Sequence, residues 1–190
     1  MINNKVFRVL LITVTVTVIL FFLLLCVFKY SFSNNHTKSK IVTLVIENEN
    51  LLKLASAEII EFGEEISYIS TTEKSTVLNS EYDALEGLYI RTGSGVYKCI
   101  NNDILDEIMK IKGLISVSIS EDMIIFNCGG SGFGSASSYY GFYYTENKRT
   151  PEDRGLTQKD EGWEWKEMGG DNWYYTEKIT ENFYYREMHY

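Results

Sequence analysis

Nucleophilic catalysis in this chain would have to run through one histidine. His189 is the only histidine beyond residue 40, so a Ser–His or Cys–His arrangement has no other imidazole to use. It stands beside the final residue of the sequence, a position that is commonly mobile, so this chemistry is not expected. No Cys/His spacing fits a zinc site, and no D-x-D-x-D-G calcium loop occurs. Acidic pairs such as Asp160–Glu161 and Glu64–Glu65 are abundant. A glycosidase-type carboxylate pair is therefore an option without specific support. No catalytic residue, metal or cofactor is assigned.

Two groups of residues suit binding instead. Residues 129–135 read GGSGFGS, with Gly130, Gly132 and Gly134 spaced by two. They match neither G-x-G-x-x-G nor a Gly-Lys-Ser/Thr phosphate loop. The glycines are expected to allow a tight strand connection, with a ligand at the bare backbone as the alternative. Trp163, Trp165 and Trp173, with outward tyrosines, could stack against sugar rings or a flat protein surface. The competing demand on such rings is packing the sheet against helices. Cys99 and Cys128 could pair in an exported domain, or stand as buried free thiols.

These residues need elements to position them. Apolar residues at 41, 44, 45, 51, 52, 55, 59 and 62 predict a helix over 41–62, with Ser39 as N-cap and Gly63 as stop. A strand at 41–46 is the competing reading. Residues 88–92 and 96–100 flank Gly93-Ser94-Gly95 and predict a hairpin. A short helix follows at 104–112, capped by Asn102 or Asp103 and ended by Gly113. Residues 115–120 alternate Ile/Val with Ser, as a half-buried strand does, and 123–128 predicts another, followed by a Gly/Ser loop over 129–138.

Fifteen of the 27 aromatic residues lie beyond residue 132. That density comes from three similar segments: GFYYTE at 141–146, NWYYTE at 172–177 and NFYYRE at 182–187. Each predicts a strand with its first and third rings on one face and its middle Tyr on the other. A polar loop is expected over 147–171, with Pro151.

Residues 9–28 read VLLITVTVTVILFFLLLCVF, without charge, Gly or Pro. A helix of that length rises about 30 Å, the thickness of a bilayer core. The expected organisation is a tail (1–8), a transmembrane helix (9–28), a linker (29–40) and an extracytoplasmic domain (41–190). A cleaved signal peptide is the alternative for the apolar run, and a cytoplasm-facing domain is the alternative for orientation. Residues 1–40 hold five basic residues and no acid, while 41–190 hold 13 basic and 26 acidic residues, a charge near −13. That balance excludes nucleic acid as a partner.

The GFYY segment, the Gly/Ser stretch before it and the DNWYYTE stretch at 171–177 resemble a group of small uncharacterised membrane-anchored proteins of Gram-positive bacteria. The resemblance covers roughly residues 122–190, implies a bacterial source and transfers no activity. The expected fold is α+β: a transmembrane helix, then an antiparallel sheet of about five to seven strands with two helices packed on one face. The expected function is non-catalytic binding of a protein or glycan, or an accessory role, at the cell membrane. An extracytoplasmic hydrolase using paired carboxylates is the rival.

Overall fold

The fold was established from a computed structural model, which describes residues 13, 15–21, 38–63, 66–74, 87–120, 123–133, 136–146 and 151–190. The chain forms two units, Met1–Asn35 and His36–Tyr190. In the first, the described residues are helical, and the Thr17 hydroxyl donates to the Thr13 carbonyl at 2.9 Å.

The second unit is built on one ten-stranded antiparallel sheet. Its elements are helix α1 (Lys38–Glu61), strands β1 (Ile66–Thr71), β2 (Leu88–Thr92) and β3 (Tyr97–Cys99), helix α2 (Asp103–Lys110), then β4 (Ser116–Ser120), β5 (Met123–Phe133) and β6 (Ala136–Tyr144). A 3₁₀ turn, Glu152–Arg154, leads to β7 (Thr157–Lys159), β8 (Gly162–Lys166), β9 (Trp173–Lys178) and β10 (Phe183–His189). Strand order is β3-β2-β1-β4-β5-β6-β10-β9-β8-β7. After β6 the chain crosses to the far edge and returns strand by strand, so β10 closes the sheet against β6.

Apolar spacing explains α1. Ile41, Val45, Leu52, Ala55 and Ile59 are buried, and they meet Phe126, Phe142 and Phe183 from the sheet in one core. Helix α2 adds Leu105, Ile108 and Met109 to that core. Its N-cap is Asn102, whose side chain accepts from Leu105 N–H at 2.9 Å and donates to Glu58 on α1 at 3.0 Å. Gly63 and Gly113, at φ of 73° and 100°, stand beyond the two helix ends.

Several expectations are corrected. The expected fold class had a transmembrane helix and five to seven strands. Among the described residues no helix is long and apolar enough to cross a membrane. Helix α1, though long enough, carries lysines and glutamates throughout. The remainder of 9–28, with Cys26, lies outside the described residues, as do Glu64, Glu65 and Gly134. The sheet has ten strands because β1, β7 and β8 join the segments expected to be strands, while one expected loop lengthens an existing strand. Residues 129–133 continue β5 against β6, and the polar stretch after Pro151 forms the β7–β8 hairpin. Helix α1 starts at Lys38, inside the expected linker, so Ser39 is helical rather than a cap.

Cys99 and Cys128 do not pair. Cys99 is exposed on edge strand β3, and Cys128 is buried in β5. Strands β2, β1 and β4 lie between, about 19 Å at the usual strand spacing, against a limit of about 7 Å for a disulfide. Burial pushes the Cys128 thiol up to about 12. With Cys26 replaced by serine, one thiol of the native domain is expected to react promptly with an aromatic disulfide reagent, and a second only after unfolding. Prompt reaction of both would place Cys128 at the surface.

Candidate functional site

Strand alternation sorts the C-terminal side chains between two faces. On the face that carries the helices, β10 presents Phe183, Tyr185, Glu187 and His189, and β9 presents Trp173, Tyr175 and Glu177. Lys38 of α1 reaches this face, pairing with Glu177 and lying 5.9 Å from the Tyr175 ring centre. On the opposite face lie Tyr143, Thr176, Tyr184 and Trp163. Tyr143 and Tyr184 stack there at 5.1 Å, and Arg154 lies 5.2 Å from the Tyr143 ring centre.

The three tryptophans therefore do not make one platform. Trp163 pairs with Thr176 and Trp165 with Tyr174, whereas Trp173 pairs with Lys166 and points to the helix-bearing face. Gly130 and Gly132 have their backbone in the β5–β6 ladder, opposite Tyr139 and Ser137. A Cβ on Gly130 would stand 2.8 Å from the Ser138 carbonyl oxygen. Gly130 thus permits close strand approach, and both glycines lie in a strand rather than a loop.

A cavity of 610 Å³ opens beside Trp173, lined by Lys159, Glu164, Lys166, Asp171, Trp173 and His189. The Trp173 indole N–H donates to Glu164 at 3.2 Å, and its ring stacks on Tyr175 with centres 6.0 Å apart. Lys159 closes an ion pair to Glu164 at 2.7 Å. Hydrogen bonds from Lys159 and then Trp173 hold the Glu164 carboxyl below its usual value. Lys159 in turn is raised by that same carboxylate.

Sequence reasoning set His189 aside as terminal, yet it is ordered within β10. Ser137 and Tyr190 exchange both backbone hydrogen bonds beyond it, at 3.1 and 2.9 Å. Its Nε2 lies 2.7 Å from Glu187 Oε1, and its Nδ1 lies 2.7 Å from Ser138 Oγ. In the tautomer whose Nε2–H donates to the carboxylate, Nδ1 accepts from the Ser138 hydroxyl. The signal was the i, i+2 spacing of Glu187 and His189 on a strand, with Ser138 opposite His189 in register.

This chain of groups has the order of a serine triad but not its surroundings. Ser138 sits in mid-strand, paired on both sides. The flanking N–H groups are spent on the ladder, as with Ser137 to Tyr190, so none is left to cradle an oxyanion. Ser138 and Glu187 thus fix the ring of His189 as a cavity wall. Among the described residues no group of His, Cys, Asp and Glu could hold a metal ion.

The same packing affects the tyrosines. Burial, the larger cause, and hydrogen bonds to Glu177 and Glu187 raise Tyr175 and Tyr185 above the ordinary phenol. Burial likewise raises Tyr143. A phenol raised on folding contributes stability that is complete below its unfolded value, about 10, and lost as pH climbs through the folded value. Stability to urea is therefore expected to fall steeply above about pH 10. The phenolate absorbance of these three residues should appear only with unfolding. Full tyrosine titration in still-folded protein would contradict this.

The described domain is thus an antiparallel ten-stranded sheet with helices on one face and a cavity beside Trp173 lined by residues of both charge signs. Comparison with known proteins found no family model, no curated protein and no solved structure that matches the chain.

Proposed function

We propose that the folded domain is a non-catalytic binding module whose ligand is a glycan, held in the cavity beside Trp173. The observation that carries this is the makeup of that cavity: one indole among Lys159, Glu164, Lys166, Asp171 and His189. A sugar ring presents an apolar C–H face and a rim of hydroxyls that both donate and accept. An indole wall suits the first, and neighbouring carboxylates, ammonium groups and an imidazole suit the second. Hydrolysis is less well supported. A general-acid carboxyl needs a raised pKa, and Glu164 shifts the other way under Lys159.

Placement at a cell membrane, with the domain outside, belongs to the same proposal and rests on the apolar composition of residues 9–28. Protease added to intact cells should digest the domain, and complete protection would count against outward placement.

Binding is tested by applying the full chain to a glycan array and titrating any hit by calorimetry. Trp173→Ala is expected to weaken binding roughly thirtyfold, the loss of one aromatic anchor of about 2 kcal/mol. Trp165→Ala, on the other face, should leave affinity unchanged. Equal losses in both variants, or no glycan retained above background, would refute the reading.

A further inference from the structure

The face opposite the helices carries a cation that pairs with no carboxylate among the described residues. Arg186 lies mid-strand in β10, flanked in register by Gly141 on β6 and Thr176 on β9. One neighbour has no side chain and the other a short one, which leaves the guanidinium room above the sheet. It is half-buried. Among the described residues its one hydrogen bond goes to the thioether of Met188. A guanidinium offers five N–H donors, and a thioether is a weak acceptor. The same sulfur also receives the Tyr190 hydroxyl, at 3.9 Å. The Tyr174 phenol stands beside Arg186, paired across from Met188. The patch is thus rich in donors and short of acceptors.

This shortage is notable in a chain with 26 acidic residues. Alternation turns every carboxylate of β8, β9 and β10 the other way. Glu164 meets Trp173 and Lys159, Glu177 meets Tyr175 and Lys38, and Glu187 meets Tyr185 and His189. All of these lie on the helix-bearing face. Glu152, which approaches the opposite face from the 3₁₀ turn, accepts from the Trp163 indole. A partly desolvated charge without a counter-ion is costly, and a bound anion removes that cost. The exposed rings of Trp165, Tyr139 and Tyr190 surround the patch and can hold the body of a ligand.

We propose that Arg186, with the Tyr174 and Tyr190 hydroxyls, binds an oxyanion: the carboxylate or phosphate group of a ligand lying on the face opposite the helices. This site is separate from the Trp173 cavity, and either can fail without the other. A planar fork of donors meets two oxygens of either group at once.

The test follows the backbone amide resonances at positions 174 and 190 of the full chain by NMR, which are present in the wild type and in each variant alike. Inorganic phosphate and acetate are titrated in turn against chloride at constant ionic strength. A saturable shift with at least one oxyanion is expected, weakened at least roughly tenfold in Arg186→Gln, the loss of a charge-assisted hydrogen bond. Phosphate acting alone would assign a phosphoryl ligand, and acetate acting alone a carboxylate. A response no different from chloride overturns the proposal on the wild-type protein by itself. So does an unchanged response in Arg186→Gln. Should that variant fail to fold, Tyr174→Phe is expected to weaken the shift, and full retention there would remove Tyr174 from the site.

Discussion

Gly141→Val is expected to leave the domain unfolded or nearly so under conditions where the wild-type protein is native. A Cβ at this position would stand 2.2 Å from the Phe126 carbonyl oxygen and 3.2 Å from its carbonyl carbon. Those atoms are backbone, held in a strand that pairs on both sides, so they cannot swing away. The β5–β6 register shifts between Asn127 and Gly129, and this irregularity brings the two strands together at Gly141. Overpacking a core costs about 1–3 kcal/mol when side chains can adjust, and more when main chain must move. Domains have only about 5–15 kcal/mol in hand. Urea unfolding followed by circular dichroism measures the loss. A midpoint close to wild type would show that the strands can separate locally without penalty. Gly155→Ala is the comparison, since nothing lies within 4 Å of a Cβ there. Its φ of 81° should cost only about 1 kcal/mol.

The second large effect is at Phe142. It is fully buried, stacks on Phe126 with centres 4.7 Å apart and meets Phe183 edge-on at 6.1 Å. Phe142→Ala removes the central ring of the layer that receives α1, and should cost about 3–5 kcal/mol. Tyr139→Ala, three residues earlier and 48% exposed, should stay within about 0.5 kcal/mol. Chemical denaturation of both variants decides the matter. Comparable losses would mean that the outer tyrosines carry as much of the fold as the inner phenylalanines.

That contrast shows how much was legible in the sequence. The GFYYTE, NWYYTE and NFYYRE segments declare strands by composition, and their alternation places the first and third rings of each on one face and the middle Tyr on the other. The helix at 38–61 and the hairpin around Gly95 follow from apolar spacing and turn residues. Strands β7 and β8 do not, because an edge hairpin exposed along much of its length needs no apolar pattern. The glycine-rich end of β5 hides for another reason: glycine normally weakens strands, and here close approach to β6 requires it.

The site was harder to read. Three tryptophans within eleven positions suggest one platform, but parity sends Trp163 and Trp165 to one face and Trp173 to the other. Counting residues across a predicted loop cannot supply that parity. His189 was dismissed on position alone. What anchors it is Ser138, 51 residues earlier, a contact that only sheet pairing creates.

The position of β10 has a consequence for biosynthesis. Of the described strands it leaves the ribosome last, yet it fills the seam between β6 and β9. Until it emerges, the β1–β6 block and the β7–β9 block each display an open edge, and the Phe126–Phe142 stack lacks the Phe183 ring that completes it. Such a nascent chain cannot settle strand by strand during synthesis. It must wait for β10 and then close in one late, long-range step, the kind of closure that slows folding and exposes unfinished sheets to aggregation.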